Sequence, residues 1–188
     1  GRQPFTDGNR CTLLRDGEAT FEALFEAMED AEHYILLEFY IVRSDRVGRR
    51  IKSILERKLA QGVEVWFLYD AIGSVWLPRK YLNQLAAAGA RVASFGNGNI
   101  RRRRFQINFR NHRKLLVCDG KIGFVGGINL GDEYLGTAMD QEPWRDGVAA
   151  DAVGPVPDRH GLGEDPYGAF GRVVGGMPAL AADETHDG

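Results

Sequence analysis

What most constrains this chain is an apolar pattern that switches repeatedly between two periods. Phe21, Leu24, Phe25 and Met28 recur at helical spacing across residues 21–30, and Thr20 is placed to cap that helix. The run 34–42 is apolar apart from Glu38 and reads as a buried strand. Helical spacing returns over 47–61 through Val47, Ile51, Ile54, Leu55 and Leu59, with Gly62 as the stop. A strand follows at 63–69. A third helix then has Pro78 in its first turn, carries Tyr81, Leu82 and Leu85, and closes at Gly89. Arg91–Phe95 is a short strand. Strands alternating with amphipathic helices need a central sheet with helices on its faces, so the fold class is α/β.

The pattern changes after Phe95. Residues 96–100 read as a loop and 101–104 are four consecutive arginines. Lys114–Cys118 and Ile122–Val125 are apolar strands joined by Asp119-Gly120, a strong hairpin signal. Gly126-Gly127 and Asn129 follow, then a short helix at 132–135. Residues 147–188 are acidic, rich in Gly and Pro, and lack either period. A loosely structured or disordered tail is expected there, after a folded domain covering 1–146. A length of 188 residues suits one well-buried domain rather than two. No run of about 18 apolar residues occurs, so no membrane-spanning helix is expected. The chain begins Gly-Arg-Gln-Pro, with neither Met nor a signal-peptide pattern, which suggests a piece of a longer protein. Cys11 and Cys118 form no CxxC and suggest neither a disulfide framework nor a structural metal site; a reducing compartment is the default.

A net charge of -2 conceals an asymmetry. Residues 71–118 contain ten Lys or Arg and no carboxylate, whereas 132–188 contain 12 acids and three bases. A long carboxylate-free segment favours a polyanion or a phosphate headgroup over an acidic partner.

At the end of that segment stands His112, two residues before Lys114. If Lys114 begins a strand, both side chains project from one face of a sheet. A neutral imidazole beside an ammonium suits phosphate chemistry, one as nucleophile and the other to offset the nonbridging oxygens. Gly126 and Gly127 would let a ligand approach the backbone, and the Asn129 amide is a donor. Asp119 before Gly120 is explained by turn chemistry alone.

The order His-x-Lys-x4-Asp-x6-Gly-Gly-x-Asn resembles the HKD motif of the phospholipase D superfamily, with every position filled. Asn-Phe-Arg-Asn-His-Arg-Lys, Gly-Gly-Ile-Asn-Leu-Gly-Asp-Glu-Tyr-Leu-Gly, Leu-Tyr-Asp-Ala-Ile-Gly-Ser and Pro-Trp-Arg-Asp look like the first half of bacterial cardiolipin synthases, a likeness running over residues 9–146. The resemblance implies a phospholipase-D-like α/β/α sandwich with a central mixed sheet, one half of a pseudo-dimer. It implies that His112 attacks phosphorus and that Lys114, Gly127 and Asn129 hold the phosphoryl group. Asp119 belongs to the catalytic motif but would organise the hairpin more than touch substrate. Asp146 would orient His112; Glu38, within an apolar strand, is either a second buried partner or a half-exposed edge residue. No metal or cofactor is called for.

The same resemblance implies transfer of a phosphatidyl group from one phosphatidylglycerol to another, with peripheral contact at the cytoplasmic face of the cell membrane. Only one motif is present, because His33, His160 and His186 lack a Lys two residues on. A homodimer or a second HKD half is therefore expected. The alternatives are a single-HKD homodimeric nuclease, using 101–104, Phe105 and Phe109 along a nucleic-acid backbone, or a phosphate-binding half-domain without turnover.

Overall fold

The computed structural model describes residues 10–95 and 111–135, together with the backbone of 148–152. The chain divides into units 1–154 and 155–188, and these residues all lie in the first. Its elements are β1 (Arg10–Leu14), α1 (Gly17–Asp30), β2 (Tyr34–Phe39), α2 (Arg46–Ala60), β3 (Glu64–Asp70), α3 (Arg79–Ala87), β4 (Arg91–Phe95), β5 (Lys114–Cys118), β6 (Ile122–Val125), a 3-10 turn (Asp132–Tyr134) and β7 (Val148–Ala152).

The strands form one mixed sheet in the order β1-β7-β6-β5-β2-β3-β4. β2, β3 and β4 run parallel, as helical crossovers require, and the remaining pairs are antiparallel. Alternation along the strands decides what each face does. Ile35, Leu37 and Phe39 of β2, Val65 and Phe67 of β3, Leu116 and Cys118 of β5 and Phe124 of β6 share one core with Phe21, Leu24 and Met28 of α1, Ile51, Ile54 and Leu55 of α2, and Tyr81 and Leu85 of α3. The described helices thus cover one face. Glu38, Leu68, Asp70 and Leu115 alternate onto the other and are buried there too. None of the described helices is long and apolar enough to cross a membrane.

The helix starts differ from expectation, two of them by an acidic cap. Asp16, not Thr20, caps α1, accepting from the Ala19 amide at 2.8 Å; the Thr20 hydroxyl instead donates to the Asp16 carbonyl at 2.6 Å. Asp45 caps α2 through the Gly48 amide, and Pro78 is the cap of α3 rather than part of its first turn. An acid just before the apolar stripe is the better acceptor for unpaired first-turn amides. β2 stops at Phe39, and Val42 bridges to Leu130 instead. Two strands were not foreseen. β1 pairs with β7, and β7 lies at 148–152, so the sheet continues beyond residue 146 into the segment expected to be irregular. The run 101–104, Phe105, Phe109 and the rest of the acidic tail lie outside the described residues.

The β5–β6 turn shows what Asp119 does. Asp119 and Gly120 have φ of 54° and 62°, positive values at the two central positions of a turn that the Lys121 N–H closes on the Cys118 carbonyl at 3.0 Å. The Asp119 carboxylate then accepts three backbone N–H groups across the sheet, from Glu32 at 2.7 Å, His33 at 2.8 Å and Tyr34 at 2.7 Å. Partial burial opposes its charge, but these three donors prevail and hold the carboxyl below its ordinary pKa. A depressed carboxylate pKa contributes stability that is present above the ordinary value and lost as pH falls through the depressed one. Asp119→Ala is therefore expected to lower the unfolding free energy by about 2–3 kcal/mol, seen as a Tm lower by roughly 5–10 °C in thermal denaturation. Asp119→Asn should flatten the loss of stability toward acid pH.

Candidate active site

His112 lies just before β5, and the sheet register explains how it is presented. Lys114, the first residue of β5, is opposite Phe39, whose side chain faces the helices. By alternation Lys114 and His112 belong to that side, and Asn111 and Arg113 to the other. The other side holds two buried carboxylates, Glu38 at 0% exposure and Asp70 at 2%. Asn111 donates its side-chain amide to Glu38 Oε1 and its backbone N–H to Asp70 Oδ2 at 3.2 Å. Arg113 donates its backbone N–H to Asn111 Oδ1 at 3.3 Å, and its guanidinium stands 3.8 Å from Glu38 Oε1. The residues flanking His112 are thus clamped from beneath while His112 itself is exposed.

Tyr40, one residue past β2, forms the floor. Its ring stacks on the His112 imidazole with centroids 4.0 Å apart and planes 24° from parallel. Lys114 Nζ stands 5.4 Å from the same ring and donates to the His112 carbonyl at 2.7 Å. Imidazole and ammonium therefore gather around one aromatic ring. The Tyr40 carbonyl in turn accepts from the Ser74 hydroxyl at 3.1 Å, and that hydroxyl accepts the Val42 N–H at 3.0 Å. Asp70 Oδ1 takes the amides of Ile72 and Gly73, both at 2.9 Å. One carboxylate thus fixes both the turn after β3 and the approach to His112.

The other expected residues are placed as follows. Asn129 is buried; its Oδ1 accepts from the Ile41 amide at 3.0 Å and its Nδ2 donates to the Tyr134 hydroxyl at 2.8 Å. Gly127 is half-buried in the bend after β6. Asp119 is not brought to the site. It sits just past the far end of β5, about 17 Å beyond Lys114 at ~3.3 Å per residue, and its contacts are the backbone amides already described. Asp146 lies outside the described residues. Tyr40, Asp70, Ser74 and Asn111 were not singled out from the sequence. The usable signal was parity: a polar side chain at Asn111, alternating with His112, needs a partner on the sheet face where Glu38 points. Among the described residues no cluster of three His, Cys, Asp or Glu side chains is arranged to hold a metal.

The fold and this His-x-Lys strand define a phospholipase-D-like domain. NucT from Helicobacter pylori superposes with a TM-score of 0.59 at 15% identity, covering 89% of this chain and 96% of that one. Nuc from Salmonella typhimurium, a phospholipase D family member, gives 0.54 at 16% identity over 78% of this chain and 84% of that one. At such identities the likeness is one of fold. The family described as "Cardiolipin synthase, PLD-like domain" matches residues 24–142. Cardiolipin synthase A of Pseudomonas aeruginosa (strain LESB58) is 50% identical over 145 residues, which are 77% of this chain and 30% of that protein. The chain belongs to the cardiolipin synthase family of phospholipase-D-like domains. It spans about a third of the length of the curated relatives it matches.

Burial raises the pKa of Glu38 above the ordinary carboxylate range, against the opposing pull of Asn111 and Arg113, and its Oε2 has no hydrogen-bond partner among the described residues. A carboxyl raised on folding contributes stability that is complete below its unfolded pKa and is lost as pH rises through the folded one. Glu38→Gln, which keeps shape and one acceptor, removes that slope. Urea unfolding should find the variant gaining on wild type as pH rises from 4 to 7. Glu38→Ala, which takes the acceptor from the buried Asn111 side-chain NH2, is expected to cost about 2–4 kcal/mol at both pH values.

Proposed function

We propose that this domain supplies one nucleophilic half-site of a phosphatidyltransferase that joins two phosphatidylglycerol molecules into cardiolipin. The observation that carries the reading is the exposed His112 ring, stacked on Tyr40 and sharing that ring with the Lys114 ammonium. A ring nitrogen of neutral His112 attacks the phosphorus of one phosphatidylglycerol. The phosphorus–nitrogen bond forms, the bond to the headgroup glycerol oxygen breaks, and that oxygen takes a proton as glycerol leaves. Lys114 offsets the charge that grows on the nonbridging oxygens. Gly127 and Asn129 are assigned to the phosphoryl pocket, Asn129 by trading its bond to Tyr134 for one to a phosphoryl oxygen. Asp146 is assigned the orienting of His112. A hydroxyl of the second phosphatidylglycerol then attacks phosphorus, the phosphorus–nitrogen bond breaks, and cardiolipin departs.

Both halves of this cycle need a group to give and later take the proton, and His112 is occupied as nucleophile. The reading assigns that task to a second His-x-Lys half, from another copy or from a further segment of a longer chain. The anionic lipid is met at the cytoplasmic face of the cell membrane through peripheral contact. None of these steps uses a metal or an organic cofactor.

The test is purified protein with phosphatidylglycerol vesicles, wild type beside His112→Ala and Lys114→Ala, with mass determined by size exclusion. The expected result is equimolar cardiolipin and glycerol from a dimeric wild type, unaffected by a chelator. His112→Ala should give neither product, and Lys114→Ala should be slower by about 100- to 1,000-fold. Cardiolipin made by His112→Ala at the wild-type rate, or loss of activity on chelation, overturns the reading.

A further inference from the structure

Exposed apolar side chains are concentrated in one place. Of the five large ones exposed among the described residues, three fall in the turn at 72–76: Ile72 at 48%, Val75 at 65% and Trp76 at 78%. The turn is firmly built. Its amides at Ile72 and Gly73 bond Asp70 Oδ1, the Ser74 N–H bonds the Asp70 carbonyl at 2.9 Å, and the Leu77 N–H bonds the Ser74 carbonyl at 2.9 Å. Ser74 and Leu77 are buried beneath it. Gly73 lies so close to Tyr40 that an added Cβ would stand 2.3 Å from its carbonyl oxygen. A pedestal this well fixed has no folding use for an indole in solvent.

The surroundings say what meets that tip. Arg79 and Lys80 follow it, both exposed, in the first turn of α3, where the helix dipole disfavours cations and the turn itself holds no acid. The sequence holds no carboxylate from 71 to 118. Indole and aliphatic side chains above a cationic collar are the composition that suits the interface of an anionic bilayer, where the ring lies at headgroup depth and the cations meet phosphate. A second copy docked here would set cation against cation.

We propose that the 72–76 turn is a membrane-docking tip that seats the domain on an anionic phospholipid surface. Its backbone packs on Tyr40, and Tyr40 stacks on His112, so docking brings lipid headgroups to the nucleophile. The proposal deepens the phosphatidyltransfer reading and rests on it for the class of lipid, while its test requires no turnover.

The full chain is mixed with phosphatidylglycerol vesicles whose acyl chains carry bromine, and tryptophan fluorescence is recorded for wild type and Trp76→Phe. Brominated vesicles should quench a component of wild-type emission that Trp76→Phe lacks, while Phe keeps the variant bound. Ile72→Ser with Val75→Ser should weaken vesicle binding about 10-fold without changing Tm, because both side chains are exposed. Arg79→Glu with Lys80→Glu should weaken it as well, and phosphatidylcholine vesicles should bind poorly. Equal quenching in wild type and Trp76→Phe, or equal binding to both lipids, overturns the proposal. So does a dimer that Trp76→Ser converts to monomer, since the tip would then be a protein interface. Quenching at Trp76 alongside cardiolipin formation that ignores His112 would keep the docking tip and sink the phosphatidyltransfer reading alone.

Discussion

Glu38 and Asp70 are buried on the sheet face turned away from the described helices, and through Asn111 they hold the backbone that presents His112. Two buried carboxylates are costly unless hydrogen-bonded, and here their donors come largely from the segment leading into β5 and from the turn after β3. Three of the four carboxylate oxygens on that face thus take donors from the loops that build the site, and Glu38 Oε2 is the exception. His112 rests on the Tyr40 ring and is not packed into the core. It is exposed, and its neighbours on either side are anchored.

The hairpin of β5 and β6 divides its labour along its length. At one end the Asp119 carboxylate ties the turn to the start of β2 through three amides; at the other end His112 and Lys114 meet Tyr40. Cys118, at the structural end, is buried, and desolvation together with nearby Asp119 pushes its thiol up to about 12, keeping it protonated. The polar residues of the motif therefore serve two distinct tasks, and chain distance along one strand separates them.

Much of this was legible in the sequence because the relevant signals are local. The three helices followed from 3.6-residue spacing, and β5, its turn and β6 from an apolar run, Asp-Gly and a second run. The His-x-Lys pairing followed from strand parity. What escaped depends on contacts between distant residues. Asn111 meets Asp70 and Glu38, and nothing in the periodicity around any of the three announces the other two. Glu38 could be read as a buried partner or as a half-exposed edge residue; the choice turned on whether β2 is central, and it lies between β5 and β3. β1 is a five-residue edge strand, exposed along most of its length, with no buried alternating face to mark it, and β7, its partner, lies inside the segment rich in Gly and Pro. The caps Asp16 and Asp45 were missed because Thr20 and Val47 looked like the natural openings of apolar stripes.

The β1–β7 pair has a consequence for how the chain reaches this fold. Arg10 pairs with Ala152 and Leu14 with Val148, so β1, the earliest of the described strands, waits for β7, the latest of them, before it acquires this partner. β7 can lie against β6 as soon as it is made, since β5 and β6 precede it. Closing so long a loop is entropically slow, and the sheet on that side grows outward from its centre. Until it closes, β1 carries a free ladder of amides and carbonyls that the β7 of a neighbouring chain can capture as readily as its own. Exchange of this strand between nascent copies is thus the misassembly to which the architecture is most open.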